Sequence, residues 1–396
     1  MSSMSSIRRS RVAGKTLPMP AGSQLDPWLA GAALALVCLG LIMVTSASIT
    51  SADRELGAPF QYLIRQTVYL GIGGVAALIC YLVPLRYWER TSFPLLLAAF
   101  VLLLAVLIPG IGREVNGSSR WLPMGPVNVQ VSEPARLMIL FFVSAYVARR
   151  SRELAESLGG FLKPVAIVAA ACVLLLMEPD FGAATVLLAT CLGVLFAGGV
   201  RLRYFFSLAG VAVLALAALA VASPYRVRRL TAFLDPWADP FDAGFQLTQS
   251  LIAIGRGEWM GVGLGGSVQK LFYLPEAHTD FVFAVYAEEL GLIGVIALVL
   301  VYGLMVWRTL AVSSRCINRG HTFAGCLSFG IGTWLGAQAA VNIAVNMGLL
   351  PTKGLTLPLV SFGGSSLVVC CAAIGLVLRA NAECGQPPNR SRGRSS

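Results

Sequence analysis

Apolar runs alternate with short polar stretches along almost the whole chain. A helix needs about 20 residues to cross a bilayer. Runs of that order lie near 27–48, 66–85, 93–110, 133–148, 163–178, 183–200, 203–222, 281–307, 321–346 and 355–379. Their apolarity is continuous, which marks helices, and lacks the alternation of a membrane β-barrel. The pattern therefore predicts an all-α, polytopic integral membrane protein with about ten spans. The fifth and sixth runs are short and separated only by "EPDFG", residues 178–182. Two polar segments stand out. Residues 111–132 hold Trp121 among Gly and Pro, and residues 223–280 form a long connection. A loop of such length is as a rule functional, and "FQLTQSLIAI" within it fits an interfacial helix.

Composition agrees with the pattern. Of 396 residues, 57% are hydrophobic and only 12% charged, where a soluble protein would be about a quarter charged. A soluble enzyme is thereby excluded. With the N-terminus cytoplasmic, most of the 30 Lys and Arg fall in inner loops and tails, and most of the 19 Asp and Glu fall outside. This satisfies the positive-inside rule. The net charge of +11 is thus a topology signal and calls for no nucleic acid. An even number of spans places both termini in the cytoplasm and the 223–280 loop in the periplasm. Residues 1–22 and 381–396 are basic and rich in Ser, Pro and Gly, as in disordered tails that touch anionic membrane lipids. They flank one transmembrane domain, 23–380. The first apolar run is too long, and its polar lead too extended, for a simple cleaved signal peptide. The cysteines fall in spans or on the cytoplasmic side, where apolar packing is expected and disulfides are not. With His278 and His321 as the only histidines, a histidine metal site has little support.

Several constellations carry candidate chemistry. "GVGLGG", Gly261 to Gly266, satisfies a dinucleotide fingerprint but lacks the strand and βαβ unit that such a site needs. A close-packing loop accounts for it better. In "LPEAHTDFVFAVYAEELGLIG", Asp280 stands at the mouth of a span with Glu276 and His278 beside it. Carboxylates at membrane depth are expensive and rare without a reason. Asp280 at a helix start reads either as a cap or as a functional acid. Glu288 lies about 80° around the helix and about 12 Å deeper, with Glu289 on the opposite side, so at most one of them shares a cavity with Asp280. In "VSEPARL", Ser132 and Pro134 suit a helix start. Glu133 and Arg136 stand three apart and can pair, or Arg136 can meet phosphate oxygens. "NMGLLPTKGLTLPLVSFGGSS", Asn346 to Ser366, interrupts an apolar run with Gly, Pro and Ser, as in broken helices that line a cavity. Lys353 is its only charge. A polar cavity open to the outside and lined by acids and bases fits a transporter and a membrane enzyme equally.

At these same residues the chain resembles the SEDS family (shape, elongation, division and sporulation), from about residue 26 to 380. The most specific parts are "LPEAHTDFVFAVYAEELGLIG", "QLTQSLIAIGRGEWMGVGLGGSVQKL" and "NMGLLPTKGLTLPLVSFGGSS". "VNGSSRW" and "EPDFGA" resemble the division branch, since the elongation branch usually has Gln where Glu178 stands. The resemblance implies a peptidoglycan glycosyltransferase that polymerises lipid II on the outer face of the bacterial inner membrane, at the division septum. It places Asp280 at the family's essential aspartate, which makes that residue the candidate general base of one inverting displacement with undecaprenyl pyrophosphate leaving. Candidate groups for the substrate are Arg136, Glu133, Lys270, Lys353, Arg120, His278 and Ser361. A divalent cation, Mg2+ or Mn2+, is compatible with the leaving group, although no ligand set is evident. The implied partners are the division-specific class B penicillin-binding protein and the divisome regulatory subcomplex. Three departures stand out: Arg136 replaces the more usual Lys, "QVSEP" differs around Val131 and Pro134, and Phe362 replaces a frequent Tyr. Alternative readings are a lipid II flippase or other lipid-linked sugar transporter, an elongation-type polymerase, and a division scaffold.

Overall fold

The computed structural model describes residues 25–115, 118–124, 127–207, 233–242, 244–271, 273–351 and 354–385, together with 210, 211, 214 and 231. In chain order the elements are α1 (Pro27–Leu56), α2 (Gln61–Leu82), α3 (Leu85–Arg90), α4 (Ser92–Leu107), β1 (Arg113–Val115), β2 (Ser118–Met124), β3 (Val127–Gln130), α5 (Ser132–Glu156), α6 (Leu158–Met177), α7 (Phe181–Ala197), α8 (Phe245–Gly257), α9 (Val282–Asn318), α10 (Thr322–Asn346) and α11 (Gly364–Gly385). The expected span at 203–222 falls mostly outside the described residues, with 202–207 helical.

Local chemistry sets the helix ends. Asp26 accepts a bond from Leu29 N at the start of α1, with Pro27 in its first turn, and α1 closes on Gly57 at φ 63°. Asp180 caps α7 through Ala183 N. Among the described residues five helices are long and apolar enough to cross a membrane: Pro27–Arg54, Gln61–Leu82, Leu158–Met177, Val282–Asn318 and Gly364–Gly385. Ser92–Leu107 and Phe181–Ala197 are shorter apolar helices. The outer surface is itself apolar, with Leu34, Leu97, Val101 and Leu300 all more than half exposed. A water-soluble fold would bury such residues, and a lipid-facing one displays them.

Three sequence expectations need correction. The fold is not wholly helical, because the 111–132 segment forms an antiparallel sheet in the order β1-β2-β3, with Trp121 opposite Gln130. Its polar, turn-rich composition cannot sustain a spanning helix, and pairing its own strands satisfies its backbone. The last helix begins at Gly364 and runs to Gly385, whereas a span over 355–379 and a tail from 381 were expected. Residues 355–363 are irregular, consistent with Pro358, Gly363 and a left-handed Leu359 (φ 66°). Finally, Cys316 on α9 and Cys384 on α11 form a disulfide, their Cα atoms 5.3 Å apart. The sequence offered no sign that they meet.

α11 packs along α2 and also touches α9, α10 and α5. The α2–α11 contact is close enough that a Cβ on Gly375 would lie 2.3 Å from Ala77 O. Small residues permit this approach where lipid offers no hydrophobic drive between helices. The core continues through α5, α7 and α10 around the buried Trp334. At the end remote from Asp280, Arg308 and Arg315 both reach Asp26, at 2.5 and 3.5 Å, which ties α1 to α9.

Candidate active site

Residues 276–281 form a tight turn that leads into α9, with Thr279 N and Phe281 N both bonded to Glu276 O. The cap position falls on Phe281, whose side chain makes no capping bond, so the helix starts one residue later than a capping Asp280 requires. Asp280 is half-buried. Its Oδ2 lies where a side chain on Gly354 would stand, 2.9 Å from that ideal Cβ, so its carboxylate abuts the irregular 354–363 segment. Phe362 N donates to His278 O at 2.9 Å, and the rings of Tyr62, His278 and Phe362 pack together at centroid distances of 4.5, 5.1 and 5.7 Å. Ser361 is buried. Its hydroxyl accepts from Leu357 N at 2.8 Å and its carbonyl accepts from Gln66 Nε2 at 3.3 Å, so it braces the segment's own turn. The structure thus brings Asp280, His278 and Ser361 to one place. Lys353 lies outside the described residues.

Behind this turn, α10 presents Gln338, Asn342 and Asn346, all buried. Asn342 Nδ2 donates to Asp280 O at 2.9 Å and also to Leu355 O. Asn346 Nδ2 donates to Asp280 O at 3.1 Å, and Gln338 Nε2 donates to Thr356 O at 3.0 Å. Gln338 Oε1 accepts from Arg136 Nη1 at 2.8 Å and from Trp334 Nε1 at 2.7 Å. Arg136 also lies 3.6 Å from Glu133 and 5.1 Å from the Trp334 ring centroid. Both Arg136 and Glu133 are buried, so Arg136 does not stand open to phosphate oxygens, nor Glu133 to substrate, as the sequence reading expected. The pairing of the two is as the spacing indicates. Sequence reasoning missed the three carboxamides, whose four-residue spacing in an apolar helix was the available signal.

Glu288 and Glu289 hold the 256–271 loop. Glu288 accepts from Ser267 Oγ at 2.5 Å and Val268 N at 3.1 Å, with Arg256 3.6 Å away. Glu289 meets Lys270 Nζ at 2.8 Å and Ser46 Oγ at 2.6 Å. At most one of the two had been expected to share a cavity with Asp280, and both carboxylates are engaged by the 256–271 loop or Ser46. Just beyond these two residues α9 has a break at Gly291 (φ 65°, ψ −166°). It frees the Glu288 and Glu289 carbonyls, which accept instead from Val262 N and Gly263 N at 3.0 and 3.1 Å. Leu292 N and Ile293 N in turn donate to Glu258 O and Trp259 O. The glycine-rich loop therefore fills the break with its own backbone. A Cβ on Gly261 (φ 77°) would lie 2.1 Å from Glu289 O, which explains the glycine without any nucleotide. Lys270, buried against Glu289, lines a groove of about 780 Å3 whose other walls include Leu41, Ile42, Ile49, Leu264 and Leu271.

Arg120, on β2, donates from Nε to Glu178 O at 3.1 Å and from Nη2 to Pro179 O at 2.6 Å, so it pins the α6–α7 turn. In that turn Asp180 accepts from Ser132 Oγ at 3.2 Å. The Glu178 carboxyl is fully buried, and neither of its oxygens has a hydrogen-bond partner. Burial, with Asp180 adding to it and Arg120 opposing, pushes its pKa up to about 8. The sheet also reaches α11, where Ser365 Oγ accepts from Gln130 N at 2.9 Å. Among the described residues no three His, Cys, Asp or Glu side chains gather as a metal site.

The FtsW, RodA and SpoVE cell cycle protein family matches residues 27–385. The chain belongs to this family. Curated relatives extend along its length. It is 53% identical over 377 residues to the "Probable peptidoglycan glycosyltransferase FtsW" of Thioalkalivibrio sulfidiphilus, covering 95% of this chain and 94% of that protein. It is 52% identical over 370 residues to the protein of the same name in Legionella pneumophila, covering 93% and 94%. Among solved structures, a chain from a peptidoglycan synthase complex that coordinates polymerization and crosslinking matches with TM-score 0.74 at 31% identity, over 92% of this chain and 99% of that one. The rod shape determining protein RodA of Thermus thermophilus matches with TM-score 0.68 at 29% identity, over 92% and 98%. The SEDS resemblance carried by the motifs is thereby established for the whole transmembrane unit.

Proposed function

We propose that this chain is a peptidoglycan glycosyltransferase that polymerises lipid II on the outer face of the cytoplasmic membrane during septal wall synthesis. The observation that carries the reading is the Asp280 carboxylate, half-buried against Gly354 in a chain that matches division glycosyltransferases along nearly its full length. In the reaction an acceptor sugar hydroxyl attacks the anomeric carbon of the donor. As that C–O bond forms, the bond from the anomeric carbon to the pyrophosphate oxygen breaks, and the hydroxyl proton passes to Asp280. A positioned base of this kind is worth about 10²–10⁴ in rate. One displacement converts an α-linked donor into a β-linked product, so one base suffices.

Of the proposed cations for the leaving pyrophosphate, Lys353 ranks first, because its sequence neighbour Gly354 adjoins Asp280. Arg136, Lys270 and Arg120 are committed to protein groups and act on the fold around the site. The apolar groove beside Lys270 has the chemistry to hold a polyprenyl chain. Ten spans with both termini cytoplasmic would put the Asp280 end in the periplasm, where a class B penicillin-binding protein crosslinks the new strand and the divisome regulatory subcomplex controls the pair.

The test is purified protein with its cognate transpeptidase, supplied with labelled lipid II. Wild type is expected to yield glycan strands, and Asp280→Asn and Asp280→Ala none. Undiminished polymer from both variants removes Asp280 from the chemistry, and absence of polymer from well-folded wild type removes the polymerase reading.

A further inference from the structure

We infer that Gln338, Asn342 and Asn346 form a carboxamide ladder that sets the position of Asp280 against the 354–357 segment, which makes them positioning residues for the base. The inference rests on the reading of Asp280 given above and concerns what aims it.

Residues four apart drift only about 40° around a helix, so the three side chains line one edge of α10. Unbonded carboxamides in an apolar interior are costly. A ladder of three in a helix with buried Trp334, Leu335 and Ala339 between and beside them therefore calls for a cause. Each donates to a main-chain carbonyl in a segment that has no helix or strand of its own. Asp280 O receives two of these donors, the full capacity of a carbonyl oxygen. Asn342 bridges Asp280 O to Leu355 O, so one side chain fixes the spacing between the turn that carries the base and the segment that faces it. Gly354, next to Leu355, is where the Asp280 carboxylate abuts that segment. At the other end of the ladder, Arg136 and Trp334 both donate to Gln338 Oε1, which turns its NH2 group towards Thr356 O. Arg136 thus reaches the site through Gln338, from an interior position where phosphate cannot follow.

Misplacing a reacting group by about 1 Å can cost about 10²-fold in rate. Asn342→Leu keeps the branched shape, in a somewhat larger side chain, and removes both donors. The expected result, in the lipid II assay with the cognate transpeptidase, is a kcat lowered about 10–100-fold with KM for lipid II within about 2-fold. Asn346→Leu leaves both Asn342 bonds in place and is expected to lower kcat by about 3–10-fold, again at constant KM. Melting temperature and gel-filtration profile are recorded for each variant. Should Asn342→Leu fail to fold, Asn346→Leu decides alone. The inference is overturned if folded variants keep wild-type kcat, if KM rises while kcat holds, or if kcat falls only in step with the folded fraction. Asp280→Asn run in parallel separates the two claims. An inactive Asp280→Asn beside unaffected asparagine variants sinks the ladder alone, and an active Asp280→Asn sinks the base and the ladder together.

Discussion

Glu178 carries its carboxyl into the α6–α7 turn and bonds neither oxygen, while its backbone carbonyl and that of Pro179 are held by Arg120. Its pKa rises from an ordinary 4.5 to about 8, by burial first and by Asp180 second. The folded state therefore keeps a proton that the unfolded chain releases above pH 4.5. The stabilisation is full below that value, declines as pH rises through the window to about 8, and is gone above it. Glu178→Gln mimics the protonated acid and should flatten this dependence. Melting temperatures in detergent at about pH 5 and about pH 8 should differ less in the variant than in wild type. Equal slopes would mean that another group governs the window. The sequence marked this position, because two carboxylates in a short apolar hairpin are conspicuous. It marked Asp280 for the same reason. Gln338, Asn342 and Asn346 escaped because a neutral amide leaves no trace in a charge pattern. The partner of Arg136 escaped because Gln338 lies 202 residues away.

At the scale of elements, the break in α9 organises one side of the fold. Gly291 opens the helix, the 258–263 backbone fills the opening, and Glu288 and Glu289 tie down the loop that follows. The buried Lys270–Glu289 pair is strong evidence of fixed geometry and weak evidence of net stability, since desolvation offsets much of its attraction. Gly261→Ala places a Cβ against Glu289 O at a left-handed φ. That conformation alone costs about 1–2 kcal/mol, and the clash adds to it. The variant should melt at lower temperature and lose hydrogen-exchange protection at Val262 and Gly263, with α10 and α11 unaffected. Retained protection at those two amides would show that the splice tolerates a side chain. Sequence patterning set this span at 281–307 where α9 runs Val282–Asn318, and it read the helix as continuous, because "GLIG" within a long apolar run looks like ordinary membrane helix. The loop glycines were read as close-packing elements, which holds for Gly261 and Gly266, whereas Gly263 and Gly265 meet open space at positive φ; what Gly261 packs against could be found only in three dimensions.

At the scale of the whole molecule, continuous apolarity made the membrane character legible, and the exposed Leu and Val on the outside are its direct expression. The small sheet was not legible, since its strands are short and its residues polar. It nevertheless links distant parts, with Arg120 on the α6–α7 turn and Gln130 on Ser365 at the start of α11. Helix boundaries were least legible where the chain leaves the helical pattern inside the apolar zone, as at 355–363. There the hydrophobic signal continues although the helix does not.

The spliced break in α9 also dictates where the chain can be lengthened. Residues 258–263 supply main-chain bonds to a spanning helix, so an epitope inserted among them removes part of the scaffold even though they belong to a loop by sequence. Phe241, before the start of α8, is 89% exposed. A short tag beside Phe241 should leave polymerisation and melting temperature near wild type, whereas the same tag after Met260 should abolish folding.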